Sequence, residues 1–104
     1  MYKELVTFLK LIADENRLKI IDMLSCKELA NKELLEYLEI SQPTLSHHIK
    51  ILEQGNLVNK RIDKNTHYYS LNIEQFKKGN LELKKTYINK RTCSCFKGGK
   101  CCKN

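Results

Sequence analysis

Hydrophobic residues recur every three or four positions over the first half of the chain, the spacing of one face of an α-helix. This pattern predicts four helices in succession. Asp14 and Ser41 precede the second and fourth helices, where a short polar side chain caps the first turn, and Gly55 ends the fourth. The inward positions of the four helices are Leu5, Phe8, Leu9 and Ile12, then Ile20, Ile21 and Leu24, then Leu34, Leu35 and Leu38, and finally Leu45, Ile49 and Leu52.

After the fourth helix the period of the pattern falls from about 3.6 to about 2, which predicts β-strands. Val58 and Ile62 alternate with polar neighbours in one strand, and Tyr69 and Leu71 do so in the next. Between them lies Asp-Lys-Asn-Thr at 63–66, a run of turn-forming residues. The two strands are therefore predicted to form a β-hairpin.

A fifth helix is predicted at 73–87, with Gly79 and Asn80 as a candidate interruption. Two short helices followed by a hairpin are typical of a winged helix-turn-helix, so the predicted fold is mainly α with a β-hairpin wing. We expect residues 1–90 to form this DNA-binding and dimerisation domain. Residues 91–104 hold few core residues and are expected to form a basic, cysteine-rich tail.

The length of 104 residues leaves room for one domain. No stretch approaches the ~20 apolar residues that span a bilayer, so no membrane partner is expected. The first residues include Glu4 and do not resemble a secretory signal, which favours a cytoplasmic location. In a reducing compartment the 5 cysteines are expected to be thiols or metal ligands instead of disulfides.

The net charge of +7 is distributed unevenly along the chain. Residues 1–40 hold 6 Lys and Arg against 8 Asp and Glu, whereas residues 41–104 hold 13 against 4. A basic half joined to a mildly acidic half indicates a surface that faces a polyanion. On charge alone, a solvated lysine-rich surface explains the same balance.

The fourth helix is predicted to be the one that enters the major groove of DNA, because it is the second helix of the pair before the wing. Its outward residues carry hydrogen-bonding groups that suit base edges and phosphates. His48 lies beside the apolar stripe and is expected to be packed. The candidate DNA contacts are Gln42, Thr44, Ser46, His47 and Lys50 on the helix and Lys60, Arg61 and Lys64 on the wing.

Four segments of the chain, at 11–21, 40–52, 55–58 and 67–71, resemble the ArsR/SmtB family of repressors in order and spacing. The resemblance implies a homodimer built on the first and fifth helices. It also implies binding to a palindromic operator in double-stranded DNA, and release when a metal or other inducer binds. Gln42, Ser46 and His47 fall where the family contacts bases, and Pro43 replaces a serine found in many members.

The two best-known inducer sites of this family are missing from the chain. The arsenic-sensing cysteine pair at the start of the third helix aligns with residues 28–33, which contain no cysteine. The zinc site on the fifth helix uses Asp and His, and residues 73–91 contain neither. The inducer is therefore expected to bind elsewhere.

The candidate inducer site is the group of cysteines near the C-terminus, where two pairs flank a Gly-Gly hinge. Thiolates select soft, thiophilic ions. Three of them suit trivalent arsenic or antimony, and four suit Cd²⁺ or Zn²⁺, so arsenite and antimonite are favoured ahead of Cd²⁺ and Zn²⁺. Cys26, near the second helix, is expected to be a small core residue. The four candidate ligands are Cys93, Cys95, Cys101 and Cys102.

Three other interpretations of these cysteines stay open. Vicinal thiols oxidise readily, so the tail is also a candidate redox or persulfide switch. A metallothionein-like metal buffer is a further alternative, as is a tail whose thiols bind metal without controlling anything. An enzyme is not expected, because 3 histidines and scattered carboxylates provide no set of acid, base and nucleophile.

Overall fold

The computed structural model describes residues 2–88. Within this range no helix is long and apolar enough to cross a membrane. The predicted domain boundary at residue 90 and the four C-terminal cysteines lie outside it. The elements are α1 (Tyr2–Ile12), α2 (Glu15–Leu24), β1 (Leu29–Ala30), α3 (Asn31–Leu38), α4 (Gln42–Gln54), β2 (Val58–Asp63), β3 (Thr66–Leu71) and α5 (Ile73–Tyr87).

Side-chain caps fix where α2 and α4 begin, as the sequence predicts. The Asp14 carboxylate accepts a hydrogen bond of 3.2 Å from the backbone N–H of Arg17. The Ser41 hydroxyl accepts one of 3.3 Å from the N–H of Thr44. Pro43 lies in the first turn of α4, where its missing N–H has no helical partner to lose. The Ser41 cap fixes where the second helix of the helix-turn-helix begins.

The hairpin is confirmed, and the structure adds a third strand to it. The antiparallel sheet has the order β1-β3-β2, with Leu29 opposite Tyr69 and Val58 opposite Leu71. Lys64 and Asn65 join β2 to β3 with φ values of 50° and 66°, the left-handed pair that a tight two-residue hairpin turn requires. Strand β1 has two residues, too few for an alternating pattern, so the sequence did not predict it.

The core lies between the helix-turn-helix and the sheet. Helix α1 contributes only Leu5 to the buried set, and α5 contributes no fully buried residue. These two helices pack on each other through Phe8 and Phe76, whose rings meet edge to face at 5.7 Å. The side chains with almost no exposed surface are Ile20, Leu34, Leu45, Leu52 and Leu57.

Three expectations from the sequence are corrected here. Gly79 does not interrupt α5, which is continuous through this position. A Cβ here would collide with the ring of Phe8, so the glycine permits the close approach of α1 and α5. Cys26 is exposed instead of packed, since it lies in the turn after α2. Ile62 is 59% exposed, because the outer half of the hairpin extends beyond the core.

Candidate nucleic-acid interface

A groove runs between α4 and the hairpin, and most of the residues that line it have polar or basic side chains. Three lysines line it, Lys32, Lys50 and Lys60, and one acidic residue, Glu53. Such a surface attracts phosphates and offers hydrogen-bonding groups for base edges. The remaining lining residues are Asn31, Gln42, Ser46, Ile49, Asn65, Thr66, His67 and Tyr69.

Helix α4 exposes most of the residues predicted to contact DNA. Gln42, Ser46, His47 and Lys50 are exposed. Thr44 is half-buried. Its hydroxyl accepts a 2.9 Å hydrogen bond from the Ser41 hydroxyl within the N-terminal cap. The exposed side of the helix therefore presents an amide, a hydroxyl, an imidazole and an ammonium group within about two turns.

Gln42 is held by two neighbours at the start of α4. The side-chain amide of Asn31, the first residue of α3, donates a 2.6 Å hydrogen bond to Gln42 Oε1. Gln42 Nε2 in turn donates a 2.8 Å hydrogen bond to Ser46 Oγ. Sequence reasoning missed Asn31, because its contact with Gln42, 11 positions later, depends on how α3 and α4 pack.

The three predicted wing residues occupy different positions on the hairpin. Lys60 lies opposite Tyr69 and lines the groove. Lys64 is exposed in the turn at the tip. Arg61 binds Glu28 through Nε at 3.0 Å and Nη2 at 2.7 Å, and its guanidinium lies 4.5 Å from the centre of the Tyr68 ring. Of the three, Arg61 is thus the one engaged in an intramolecular ion pair.

The Glu28–Arg61 ion pair shifts the pKa of each side chain in the direction that favours its charged form. The hydrogen bond from Arg61 is the main cause that lowers the pKa of Glu28. The same hydrogen bond raises the pKa of Arg61. Because Glu28 precedes β1 and Arg61 belongs to β2, the pair ties the hairpin to the segment before α3.

His48 is packed, as predicted, and takes part in a polar cluster behind α4. Arg17 Nη1 lies 3.1 Å from His48 Nδ1, and Arg17 Nε donates a 2.7 Å hydrogen bond to the carbonyl of Leu11 at the end of α1. Burial is the main cause that lowers the pKa of His48. A neutral His48 accepts from the Arg17 guanidinium, so Arg17 connects α1, α2 and α4.

Asp14 completes this cluster and keeps its charge. Its carboxylate lies 3.8 Å from His48 Nδ1. Burial raises the pKa of Asp14, but the hydrogen bond from the Arg17 N–H and the positive charges nearby outweigh it, so the pKa falls below 3.8. The residue that caps α2 therefore also faces the imidazole of α4.

Away from the groove, α1 and α5 present exposed apolar side chains. Val6 is 47% exposed on α1 and Leu81 is 51% exposed on α5. Leu81 also lines a second groove between these helices, together with Leu5, Phe8 and Gly79. Two further aromatic residues, Tyr2 and Tyr87, are exposed near the helix ends.

Residues 2–88 contain no group of three His, Cys, Asp or Glu side chains placed to hold a metal ion. Cys26 is the cysteine in this part of the chain. The predicted ligands Cys93, Cys95, Cys101 and Cys102 belong to the segment that the structure does not describe.

Comparison with known proteins gives consistent matches. The family model "Bacterial regulatory protein, arsR family" matches residues 14–60. Arsenical resistance operon repressors of Staphylococcus aureus and Staphylococcus xylosus are 46% and 45% identical, each over 96% of this chain and 98% of the relative. The solved structure of reduced HlyU from Vibrio cholerae is 37% identical, with a TM-score of 0.69 over 85% of this chain and 93% of that chain.

Proposed function

The chain belongs to the arsR family of bacterial regulatory proteins, and on that premise we propose that it is a cytoplasmic, homodimeric repressor that leaves its operator when a thiophilic ion binds. Members of this family are DNA-binding transcription regulators, which agrees with the expectation that the chain is not an enzyme. Two relatives that match nearly the whole chain are named repressors.

The observation that carries the proposal is the basic groove between α4 and the hairpin. Helix α4 enters the major groove, where the exposed amide and hydroxyl groups of Gln42 and Ser46 meet base edges. Lys50 and Lys60 lie where the flanking phosphates pass. His47, Thr44, Arg61 and Lys64 stay predicted contacts, and Arg61 exchanges Glu28 for a phosphate to make its contact.

We infer the dimer from the apolar residues on α1 and α5. Val6 and Leu81 are about half exposed in one copy of the chain, and a second copy that packs on these helices removes them from water. Two-fold symmetry then presents two α4 helices to successive major grooves, about 34 Å apart. A palindromic operator matches that symmetry.

The inducer is proposed to bind Cys93, Cys95, Cys101 and Cys102, with arsenite and antimonite ahead of Cd²⁺ and Zn²⁺. Thiolates are the ligands that such ions prefer, and the four cysteines occur within ten positions of the sequence. The names of the two staphylococcal relatives support an arsenical as the first choice. Because the tail follows α5, an ion bound there acts next to the proposed dimer contact.

The proposed coupling is modest in energy. Allosteric proteins typically couple two sites by about 1–3 kcal/mol, which changes affinity roughly 5- to 150-fold. An ion that orders the tail against α5 also draws its lysines away from phosphates, which adds a salt-dependent contribution. Loss of operator affinity within this range would account for release.

A second candidate function uses the same cysteines as a redox or persulfide switch. One relative was solved in a form described as reduced HlyU, and vicinal thiols oxidise readily. In this alternative the operator is released on oxidation, without a metal. A metallothionein-like buffer is a third use of the tail, and it needs no operator at all.

The test is a fluorescence-anisotropy titration of the reduced protein on a duplex from its own promoter. Arsenite, antimonite, Cd²⁺ and Zn²⁺ are added in turn, and then an oxidant. The double variant Cys101→Ser, Cys102→Ser removes two proposed ligands. Cys26→Ser is the matched control, because it removes an exposed thiol from a different part of the chain.

Release by one ion that the double variant abolishes and Cys26→Ser leaves intact would support the proposal and identify the inducer. Release only by oxidant would favour the redox switch. Tight binding that neither an ion nor an oxidant changes would contradict both switches. Failure to bind the duplex specifically would contradict the repressor itself.

A further inference from the structure

We propose that Asn31 is a positioning residue for base recognition, which holds the carboxamide of Gln42 so that Gln42 selects an A·T pair. This inference rests on the proposed function, because it assigns a specificity to the α4 surface. Asn31 was not among the contacts predicted from the sequence. Its contribution follows from the two hydrogen bonds that Gln42 makes within the protein.

The first step is that Gln42 is anchored at both ends of its amide. Asn31 Nδ2 donates to Gln42 Oε1 at 2.6 Å, and Gln42 Nε2 donates to Ser46 Oγ at 2.8 Å. A free glutamine amide rotates and presents its oxygen and nitrogen in either order. With Asn31 Nδ2 beside the oxygen and Ser46 Oγ beside the nitrogen, the two contacts favour this order before DNA arrives.

The second step is a count of the hydrogen-bonding capacity that remains. An amide oxygen accepts two hydrogen bonds and an amide nitrogen donates two. Asn31 uses one of the two acceptor positions of Gln42, and Ser46 uses one of the two N–H groups. One acceptor and one donor are left side by side on an exposed side chain.

The third step matches this remainder to a base. In the major groove adenine offers an N6–H donor beside an N7 acceptor, which is the complement of one acceptor beside one donor. Guanine offers two acceptors there, so one of them would face the Gln42 oxygen. The anchored amide therefore favours A·T over G·C at the pair that it reaches.

The position of Asn31 supports a positioning role, and the experiment below distinguishes this role from a phosphate contact. It is the first residue of α3, and Gln42 is the first residue of α4, so the hydrogen bond joins the starts of the two helices. Its neighbour Lys32 lines the same groove and carries a positive charge, which Asn31 lacks. Lys32 is thus a suitable control.

The experiment selects binding sites from a random duplex library with the full-length wild-type protein. Gln42→Ala then identifies the base pair whose preference depends on Gln42. Dissociation constants are measured for the selected site, for each substitution at that pair, and for nonspecific DNA. The proteins compared are the wild type, Asn31→Ala, Asn31→Asp and Lys32→Ala, and thermal unfolding checks that each variant is folded.

We expect the wild type to prefer A·T at this pair by roughly 5- to 100-fold. Asn31→Ala should lower that preference by about 2- to 10-fold, the effect of one hydrogen bond, with nonspecific affinity unchanged. Asn31→Asp should lower it too, because a carboxylate accepts from Nε2 and turns the amide over. In a Gln42→Ala background, Asn31→Ala should change nothing further.

Lys32→Ala should instead weaken binding to every duplex by a similar factor. If Asn31→Ala behaves in that way, Asn31 is a phosphate contact and the proposal is wrong. A preference for a pair other than A·T, or a full preference retained by Asn31→Ala, would also overturn it. If the wild type selects no sequence from the library, the proposed function fails as well, and this result differs from the others.

Discussion

At the scale of single residues, His48 belongs to the polar cluster that links α4 to α1 and α2. The residue is 8% exposed, and its ring nitrogen Nδ1 lies 3.1 Å from the guanidinium of Arg17 and 3.8 Å from the carboxylate of Asp14. The hydrogen bond with Arg17 requires a neutral imidazole, since a protonated one would bring two cations together. The stability of the protein should therefore depend on pH through this side chain.

The pKa of His48 is lowered from 6.5 in the folded state, mainly by burial, with Arg17 and His47 acting in the same direction and Asp14 opposing. The unfolded chain then takes up the proton at higher pH than the folded one, so the free energy of unfolding falls as the pH drops below about 6.5. We expect the melting temperature to fall between pH 7.5 and pH 5.5. Calorimetry at fixed protein concentration measures it.

His48→Gln should lose about 1 kcal/mol at pH 7.5, because a hydrogen bond to a charged group is weakened, and should show a smaller fall on acidification. His47→Gln is the matched control, since it removes the exposed neighbouring histidine and should retain most of the pH dependence, because His47 is the smallest of the causes that lower the pKa of His48. An equal fall in His48→Gln and the wild type would assign the pH dependence to other groups.

At the scale of secondary-structure elements, the hairpin is attached to the helix-turn-helix in two ways. Strand β1 pairs with β3 immediately before α3 begins, and Glu28 binds Arg61 of β2. This ion pair is exposed, so it contributes little to folding. In the proposed complex, its larger effect is on the charge that the hairpin presents to DNA.

Glu28→Gln should strengthen DNA binding and steepen its dependence on salt. The substitution removes the charge of one of the two carboxylates near Arg61 and leaves Asp63 3.9 Å from its Nη1, so Arg61 turns to a phosphate more readily. One added phosphate contact changes the slope of log K against log salt by about 0.9. Anisotropy titrations from 50 to 200 mM salt, roughly the range over which such slopes are measured, test this.

Glu74→Gln removes the same charge from an exposed position on α5 and should leave the slope unchanged. Weaker binding by Glu28→Gln with an unaltered slope would mean that Glu28 serves to hold the hairpin in position. In that case Arg61 contributes to the orientation of the wing and makes no phosphate contact.

All five helices and the hairpin could be predicted from the sequence, because each has a periodic pattern or a capping residue. Strand β1 could not, since two residues carry no period and its pairing depends on Tyr68 and Tyr69 nearly forty positions away. The same limit explains Gly79, whose low helix propensity predicts a break until the packed ring of Phe8 is known.

Within the candidate site, exposure on α4 followed from the apolar stripe on its other side. The hydrogen-bond and ion-pair partners of the candidate site residues could not be predicted in this way. The hydrogen bond between Asn31 and Gln42 and the ion pair between Glu28 and Arg61 join positions 11 and 33 apart, which only the tertiary structure brings together. Polar contacts at such separations have no periodic signature.

At the scale of the whole molecule, the proposed dimer depends on the apolar residues of α1 and α5. Leu81 and Leu18 are each 51% exposed, but Leu81 lines the groove between α1 and α5, whereas Leu18 lies on α2. The two leucines therefore form a matched pair for testing where the second copy packs.

Leu81→Lys should dissociate the dimer, because a charge would be buried against apolar side chains. Its affinity for a palindromic duplex should fall by at least about 100-fold, since two linked DNA-binding domains bind more tightly than one. Sedimentation equilibrium gives the oligomeric state, and anisotropy gives the affinity. Leu18→Lys should remain dimeric and bind as the wild type does. Dissociation by Leu18→Lys, with Leu81→Lys unaffected, would move the interface to α2.

Strand β1 hydrogen-bonds to β3 and runs directly into α3, so it connects the hairpin to the helix-turn-helix within each subunit. In the proposed dimer, the two subunits rotate relative to each other about the α1–α5 contact, and α4 and the hairpin of each subunit move together. A hydrogen bond to a base keeps its strength over only about 0.5 Å of travel. A small rotation about the α1–α5 contact would move α4 beyond that tolerance and break all base contacts of one subunit at once. The fold of the subunit itself would not change.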